Sequence, residues 1–197
     1  MRHRTIRPAW VAAITTFSIA VASAQQRPVP DTYTAVTSNM SPEGVELKAD
    51  VLTWSDLSAR AAFIDALGAE DVAAALSELP SVGVVWRSGS AVGTSIKYSQ
   101  REQLPDGGER VVLATDKRIG ATSFEPWTAG RAEADALEYT VIELTIEAGG
   151  AGSGTMSFRA PVVIDEDSST IALQHDGSPG LLEDARLAPK PYWAGSD

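Results

Sequence analysis

From Ser81 onward the chain alternates. Val82, Val84 and Trp86 fall on one face of an extended chain in "VGVVWRS". In "TSIKYSQR", Ile96 and Tyr98 point one way and Lys97 and Arg101 the other. In "EYTVIELTIE", Ile142, Leu144 and Ile146 alternate with Glu143, Thr145 and Glu147. "TMSFRAPVVID" and "STIALQHD" continue the pattern, while "ERVVLATD" is apolar on both faces at its centre. A side-chain period of two belongs to strands with one face on a core. The runs are separated by "PDGG" (105–108), "AGGAGSG" (148–154) and "DEDSS" (165–169), all turn-forming compositions. In the first of these, Asp106-Gly107-Gly108 supplies the positive φ that a tight hairpin needs. Strands joined by short turns form an antiparallel meander, and this many of them make a sandwich or a small barrel.

Two stretches break the alternation. In 55–79 the period becomes helical: Leu57, Ala61, Ile64 and Leu67 or Gly68 recur in "SDLSARAAFIDALG", with Ser55 as N-cap and Gly68 as stop. Val72, Ala75, Leu76 and Leu79 repeat the pattern, with Glu70 and Asp71 in the first turn and Pro80 after the last. This predicts a short helical hairpin preceding the sheet and lying on it, although "VELKADVLTW" (45–54) reads as an imperfect first strand. The second break, "ATSFEPWTAGRAEADA" (121–136), is a long connection carrying Phe124 and Trp127, of the length found in lids and contact loops. Residues 25–44, polar and Pro-punctuated, read as a flexible leader to a single β-rich domain over 45–186, with 187–197 as a tail.

The first 24 residues set the expected compartment. Arg2, His3, Arg4 and Arg7 precede an apolar run that ends in Ala22-Ser23-Ala24, the pattern of a cleavable signal peptide. Cleavage there would start the mature chain near Gln25 and make the protein periplasmic or secreted. No later stretch has the length of an integral membrane span. The mature chain would hold 13 basic against 26 acidic side chains, a net charge of −13. That balance argues against nucleic acid and anionic membranes as partners. The chain has no cysteine, so its stability must come from an ordinary core.

Few chemistries suit this composition. "GAGSGT" (150–155) lacks the glycine two residues before Ser153 that a nucleophile elbow needs, and it is flanked by strands on both sides. A Ser-His-Asp set would have to use His175, the one histidine after the leader, with Asp116 or Asp176. One histidine and no cysteine argue against zinc, copper or haem, and Asp165, Glu166 and Asp167 read as an acidic turn rather than a calcium loop. No cofactor, metal or catalytic set is expected. The polar tetrad Thr115-Asp116-Lys117-Arg118 ends a strand. If the sheet curves, Asp116 would face inward beside Val112 and Ala114, on the same side as Arg110, as a ligand-orienting or fold-specifying pair.

"SVGVVWRS", "IKYSQREQLPDGGERVVLATDKRIG" and "YTVIELTIEAGGAGSGTMSFRAPVVID" together resemble a family of small secreted bacterial proteins of unknown function. The likeness covers about residues 80–186, with "LPDGGERVVLATDKRIG" as its most specific part. Lys117 stands where that family is expected to carry Arg, and "LQHDGSPG" departs from its expected end. The resemblance implies secretion and β-structure and carries over no catalytic residue. The reading is therefore a non-enzymatic binding or interaction module, with Trp86, Tyr98, Arg110, Asp116, Phe124 and Trp127 as candidate contacts. Its partner would be a protein or, in a hollow barrel, a small apolar ligand under the 121–136 loop. An envelope hydrolase built on Asp116, His175 and a serine is the alternative.

Overall fold

The computed structural model describes residues 29–40, 42–120, 139–157, 162–165, 170–173 and 179–190. The segments read as signal peptide (1–24) and long loop (121–136), with Phe124, Trp127, His175 and Asp176, lie outside the described residues. The elements run β1 (Asp31–Thr37), β2 (Glu46–Val51), α1 (Leu57–Leu67), α2 (Val72–Glu78), β3 (Gly83–Arg87), β4 (Thr94–Gln103), β5 (Glu109–Thr115), β6 (Val141–Ile146), β7 (Gly152–Ser157), β8 (Val162–Asp165), β9 (Thr170–Leu173) and β10 (Gly180–Leu187).

Eight strands close a barrel in the order β1-β10-β7-β6-β5-β4-β3-β2, each antiparallel to its neighbours. The protein is mainly β, as the alternation predicts, and the barrel is the alternative realised. From β1 to β7 every connection joins spatial neighbours. Only the passage from β7 to β10 goes through β8 and β9, which pair with each other as a separate two-stranded sheet.

The expected order needs two corrections. Residues 31–37 are not leader but the strand that closes the barrel, with Tyr33, Ala35 and Thr37 buried and Thr32 and Thr34 turned outward. The helical hairpin does not precede the sheet. It is inserted between β2 and β3, which pair directly from Leu47↔Arg87 to Val51↔Gly83. Its caps also differ by a residue. Asp56, not Ser55, caps α1 by accepting from the Ala59 amide at 2.8 Å, and Asp71 is itself the cap of α2, accepting from the Ala74 amide at 2.9 Å. Ser55 is occupied elsewhere, its hydroxyl accepting from the Ser99 amide at 3.0 Å.

The turn at 104–108 forms as its composition demands. The Leu104 amide donates to the Gly108 carbonyl at 2.8 Å, Gly107 takes φ +85°, and Asp106 Oδ1 accepts from the Gly108 amide. On β7, Gly152 lies so close to β6 that a Cβ there would run into the Thr145 carbonyl.

Eight strands give a barrel just wide enough for side chains to fill it. Tyr33, Leu47, Val85, Ile96, Leu113, Leu144, Met156 and Leu182 fill this one, and Met40, from the β1–β2 connection, belongs to the same cluster. A second apolar cluster lies outside the barrel wall. Phe63, Ala66 and Leu76 of the helical hairpin cover Tyr98, Val112, Ala114, Tyr139 and Val141, and the rings of Phe63 and Tyr98 stack 4.3 Å apart at 7°. The expected helical stripe is rotated by about one residue, since Leu57 is 82% exposed while Phe63 and Ala66 are buried. Elsewhere the wall faces outward with Glu46, Lys48, Asp50, Glu102, Arg110 and Glu143. Such a wall is the inverse of the apolar belt that a membrane-spanning barrel presents to lipid.

Candidate functional site

The tetrad at 115–118 is mostly fastening. Thr115 is fully buried. Its hydroxyl donates to the Lys117 carbonyl at 2.7 Å, lies 3.1 Å from the Thr140 carbonyl and accepts from the Thr140 amide (3.0 Å). The Thr140 hydroxyl accepts from the Ile119 amide at 3.0 Å. Two threonines thus tie together both ends of the 116–140 connection. Lys117 is exposed.

Asp116 and Arg110 do not form an inward pair. Val111 and Leu113 are the residues of β5 in the barrel interior, so Arg110, Val112 and Ala114 belong to its outer face. There Arg110 meets Glu143, Nε to Oε1 at 2.7 Å, and Glu102 at 3.6 Å. The Glu143 hydrogen bond raises the guanidinium pKa further, fixing its charge. Asp116 instead meets Lys97, Oδ2 to Nζ at 3.6 Å, while its Oδ1 is buried without a hydrogen-bond partner. Lys97 Nζ also donates to the carbonyls of Ser77 and Leu79, at 2.8 Å each, at the C-terminal end of α2.

An inward charged cluster does exist, at the other end of β5. Glu109 shares the parity of Val111 and Leu113, and Arg101, the β4 partner of Val111, reaches it diagonally on the same face. Arg101 Nε meets Glu109 Oε2 at 3.0 Å, and its Nη2 meets Asp31 Oδ2 at 3.3 Å and the Tyr33 hydroxyl at 2.9 Å. Tyr33 donates to Glu109 Oε1 at 3.0 Å, and Trp54 Nε1 donates to Asp31 Oδ2 at 3.0 Å. The guanidinium lies 4.7 Å from the centre of the Trp54 ring, a cation–π distance. Burial, opposed by the Arg101 hydrogen bond, raises the Tyr33 phenol well above its usual range, so it remains a neutral donor. This cluster plugs one end of the barrel. The sequence reading missed it because "ERVVLATD" is apolar on both faces and hides which parity is inside. The 104–108 turn was the available signal, since it places Gln103 opposite Glu109 and Arg101 opposite Val111.

The remaining candidates separate. Tyr98 is 1% exposed and belongs to the contact between hairpin and barrel. Trp86 is half-buried on the outer wall, with Lys48 Nζ 5.5 Å from its ring centre and Gly93 packed against its indole. Of the proposed hydrolytic set, Asp116 has Lys97 as its ionic partner beneath α2. Glu143 is bound to Arg110.

Two concavities matter. The one inside the barrel, lined by Tyr33, Ala35, Leu47, Val85, Leu113 and Leu144 among others, holds about 10 Å³. That is at most the space of one water, so among the described residues side chains fill this part of the interior. The second, about 360 Å³, is an open groove on the outer face of β6, β7 and β10. Glu143, Thr145, Ser153, Thr155, Leu181 and Glu183 line it, and Leu181 is 42% exposed.

These features define a class: a small, side-chain-filled, eight-stranded antiparallel barrel with a helical cover on one wall and a polar groove on another. No protein-family model, curated protein or solved structure matches the chain.

Proposed function

We propose that this protein is an exported, non-enzymatic binding module that meets a protein partner on its outer wall, over the groove of β6, β7 and β10. The observation that carries this reading is the contrast between the two concavities, about 10 Å³ inside and about 360 Å³ outside. An interior concavity of that size leaves no room for an apolar ligand, whereas the groove offers hydroxyls, two carboxylates and the half-exposed Leu181 on rigid strands. Export rests on the basic head and small-x-small end of residues 1–24, and the resemblance to small secreted proteins supports it.

The test is native mass spectrometry on gently purified protein, followed by envelope crosslinking. Wild type should retain a protein partner that Ser153→Trp, which fills the groove, loses and that Thr34→Trp, on β1, keeps. A small-molecule mass released only on denaturation would overturn this reading. So would a partner indifferent to Ser153→Trp.

A further inference from the structure

The helical hairpin is a closed excursion from a barrel that is complete without it. Its roots are bonded to each other: the amides of Leu52 and Thr53 donate to the Val82 carbonyl at 2.9 and 3.1 Å. Beyond those roots β2 and β3 pair along their length. Its apolar contacts form a cluster separate from the barrel interior, across the wall. Helices of 11 and 7 residues are too short to stand alone in water, so the hairpin holds its shape only while docked.

Among the described residues, the polar ties that dock it are few and specific. Near its first root, Ser55 and Thr53 bond to Ser99: the Ser55 amide to the Ser99 carbonyl at 3.0 Å, and the Ser99 hydroxyl to the Thr53 carbonyl at 2.9 Å. Those bonds lie at the hinge and survive a swing about it. At its far end the tie is Lys97. Its side chain, 9% exposed, reaches the last carbonyls of α2 and Asp116, joining three separate segments through one ammonium. A docked ammonium that lost these acceptors would be buried and unpaired, which is costly, so the docked state depends on all of them being in place. Two atoms in this region are buried without a hydrogen-bond partner, Asp116 Oδ1 and, on α1 itself, Arg60 Nε.

We propose that the α1–α2 hairpin is a separately opening cover latched by Lys97, and that its opening uncovers an apolar strip of Tyr98, Val112, Ala114, Tyr139 and Val141 on the outer wall. This device is independent of the groove on β6, β7 and β10.

Native-state hydrogen exchange on the full chain tests it. Amides of residues 57–79 should exchange at least tenfold faster than those of β5, β6 and β10, with a weaker denaturant dependence, because a local opening exposes less surface than global unfolding. Lys97→Met, which keeps the apolar stem and removes the charge, should speed hairpin exchange at least tenfold further and leave β6 and β7 unchanged. Asp116→Asn, which keeps both carbonyl bonds to Lys97, should speed it less. Hairpin amides that exchange with the barrel, at one rate and one denaturant dependence, would overturn the proposal. So would a Lys97→Met effect spread equally over both. If Lys97→Met does not fold, the wild-type exchange pattern decides.

Discussion

Single residues carry strain and charge here that can be tested one at a time. Asp184 has φ +51°, alone among the described non-glycine residues in the left-handed region. It is the extra residue of a bulge. Leu182 and Ala185 pair with Gly154 and Gly152, three steps on β10 against two on β7. Aspartate tolerates this backbone better than most residues and glycine better still. Asp184→Gly should therefore hold or raise stability by up to about 1 kcal/mol, and Asp184→Val should lower it by about 1–2 kcal/mol, read from urea midpoints at constant slope. A Val variant as stable as wild type would mean the bulge relaxes at no cost. Arg101 is a second residue-scale case. Removing it leaves Glu109, Asp31 and the Tyr33 hydroxyl facing one another without their shared cation. With the side chain 30% exposed, water softens the loss, and Arg101→Met should cost about 1–3 kcal/mol. Recovery of that stability in Arg101→Met with Glu109→Gln, which relieves the like-charge pair, is the expected signature.

At the scale of elements, what the sequence conveyed depended on parity. The β6 alternation is clean because Ile142, Leu144 and Ile146 face a filled interior while Glu143 and Thr145 face water. The β4 alternation misleads. Ile96 pairs with Thr115 and Tyr98 with Ala114, so Lys97 is a bulge residue. Ile96 points into the barrel and Tyr98 out under the hairpin, although they are two apart. A period-two pattern cannot announce a bulge, so both were read onto one face. Val84 and Trp86 failed differently. They are apolar yet outward, and the buried parity of β3 is that of Gly83, Val85 and Arg87. β1 escaped notice because Thr32 and Thr34 are two of its outward residues, Thr37 is a polar inward one, and only Tyr33 and Ala35 signal a core. The candidate site was less legible than the fold, because a groove is a relation among three strands and two of them, β7 and β10, are apart in sequence. Strand spacing gives the element-scale prediction. Gly152→Ala would push a methyl into the Thr145 carbonyl and should cost about 2 kcal/mol or more, measured by thermal unfolding, while Gly149→Ala, with open space around it, should cost far less.

For the whole molecule, the response to alkali follows from where the tyrosines sit. Tyr33 and Tyr98 are each 1% exposed and Tyr139 is 6% exposed. Burial raises all three phenols, Arg101 opposing it at Tyr33 and Arg60 at Tyr98, and Tyr98 reaches about 12. A phenol freed by unfolding ionises near its ordinary value of about 10. Below pH 10 neither state has lost the proton, and the full stability is present. Between 10 and 12 the unfolded chain ionises while the folded one does not, so the unfolded state gains and stability falls as pH rises. Tyr98 alone then accounts for about 2–3 kcal/mol of loss across that interval, at about 1.4 kcal/mol per unit. The three phenols span both apolar clusters, Tyr33 in the barrel interior and Tyr98 and Tyr139 under the helical cover. Urea unfolding at pH 8, 10, 11 and 12 should show the decline. Tyr98→Phe, which keeps the ring against Phe63 and gives up the 2.9 Å bond to Gln100, should start about 1 kcal/mol less stable at pH 8 and overtake wild type by pH 12. Parallel curves for the two proteins would assign the alkaline loss to charge elsewhere, in a chain whose net charge is already −10 at pH 7.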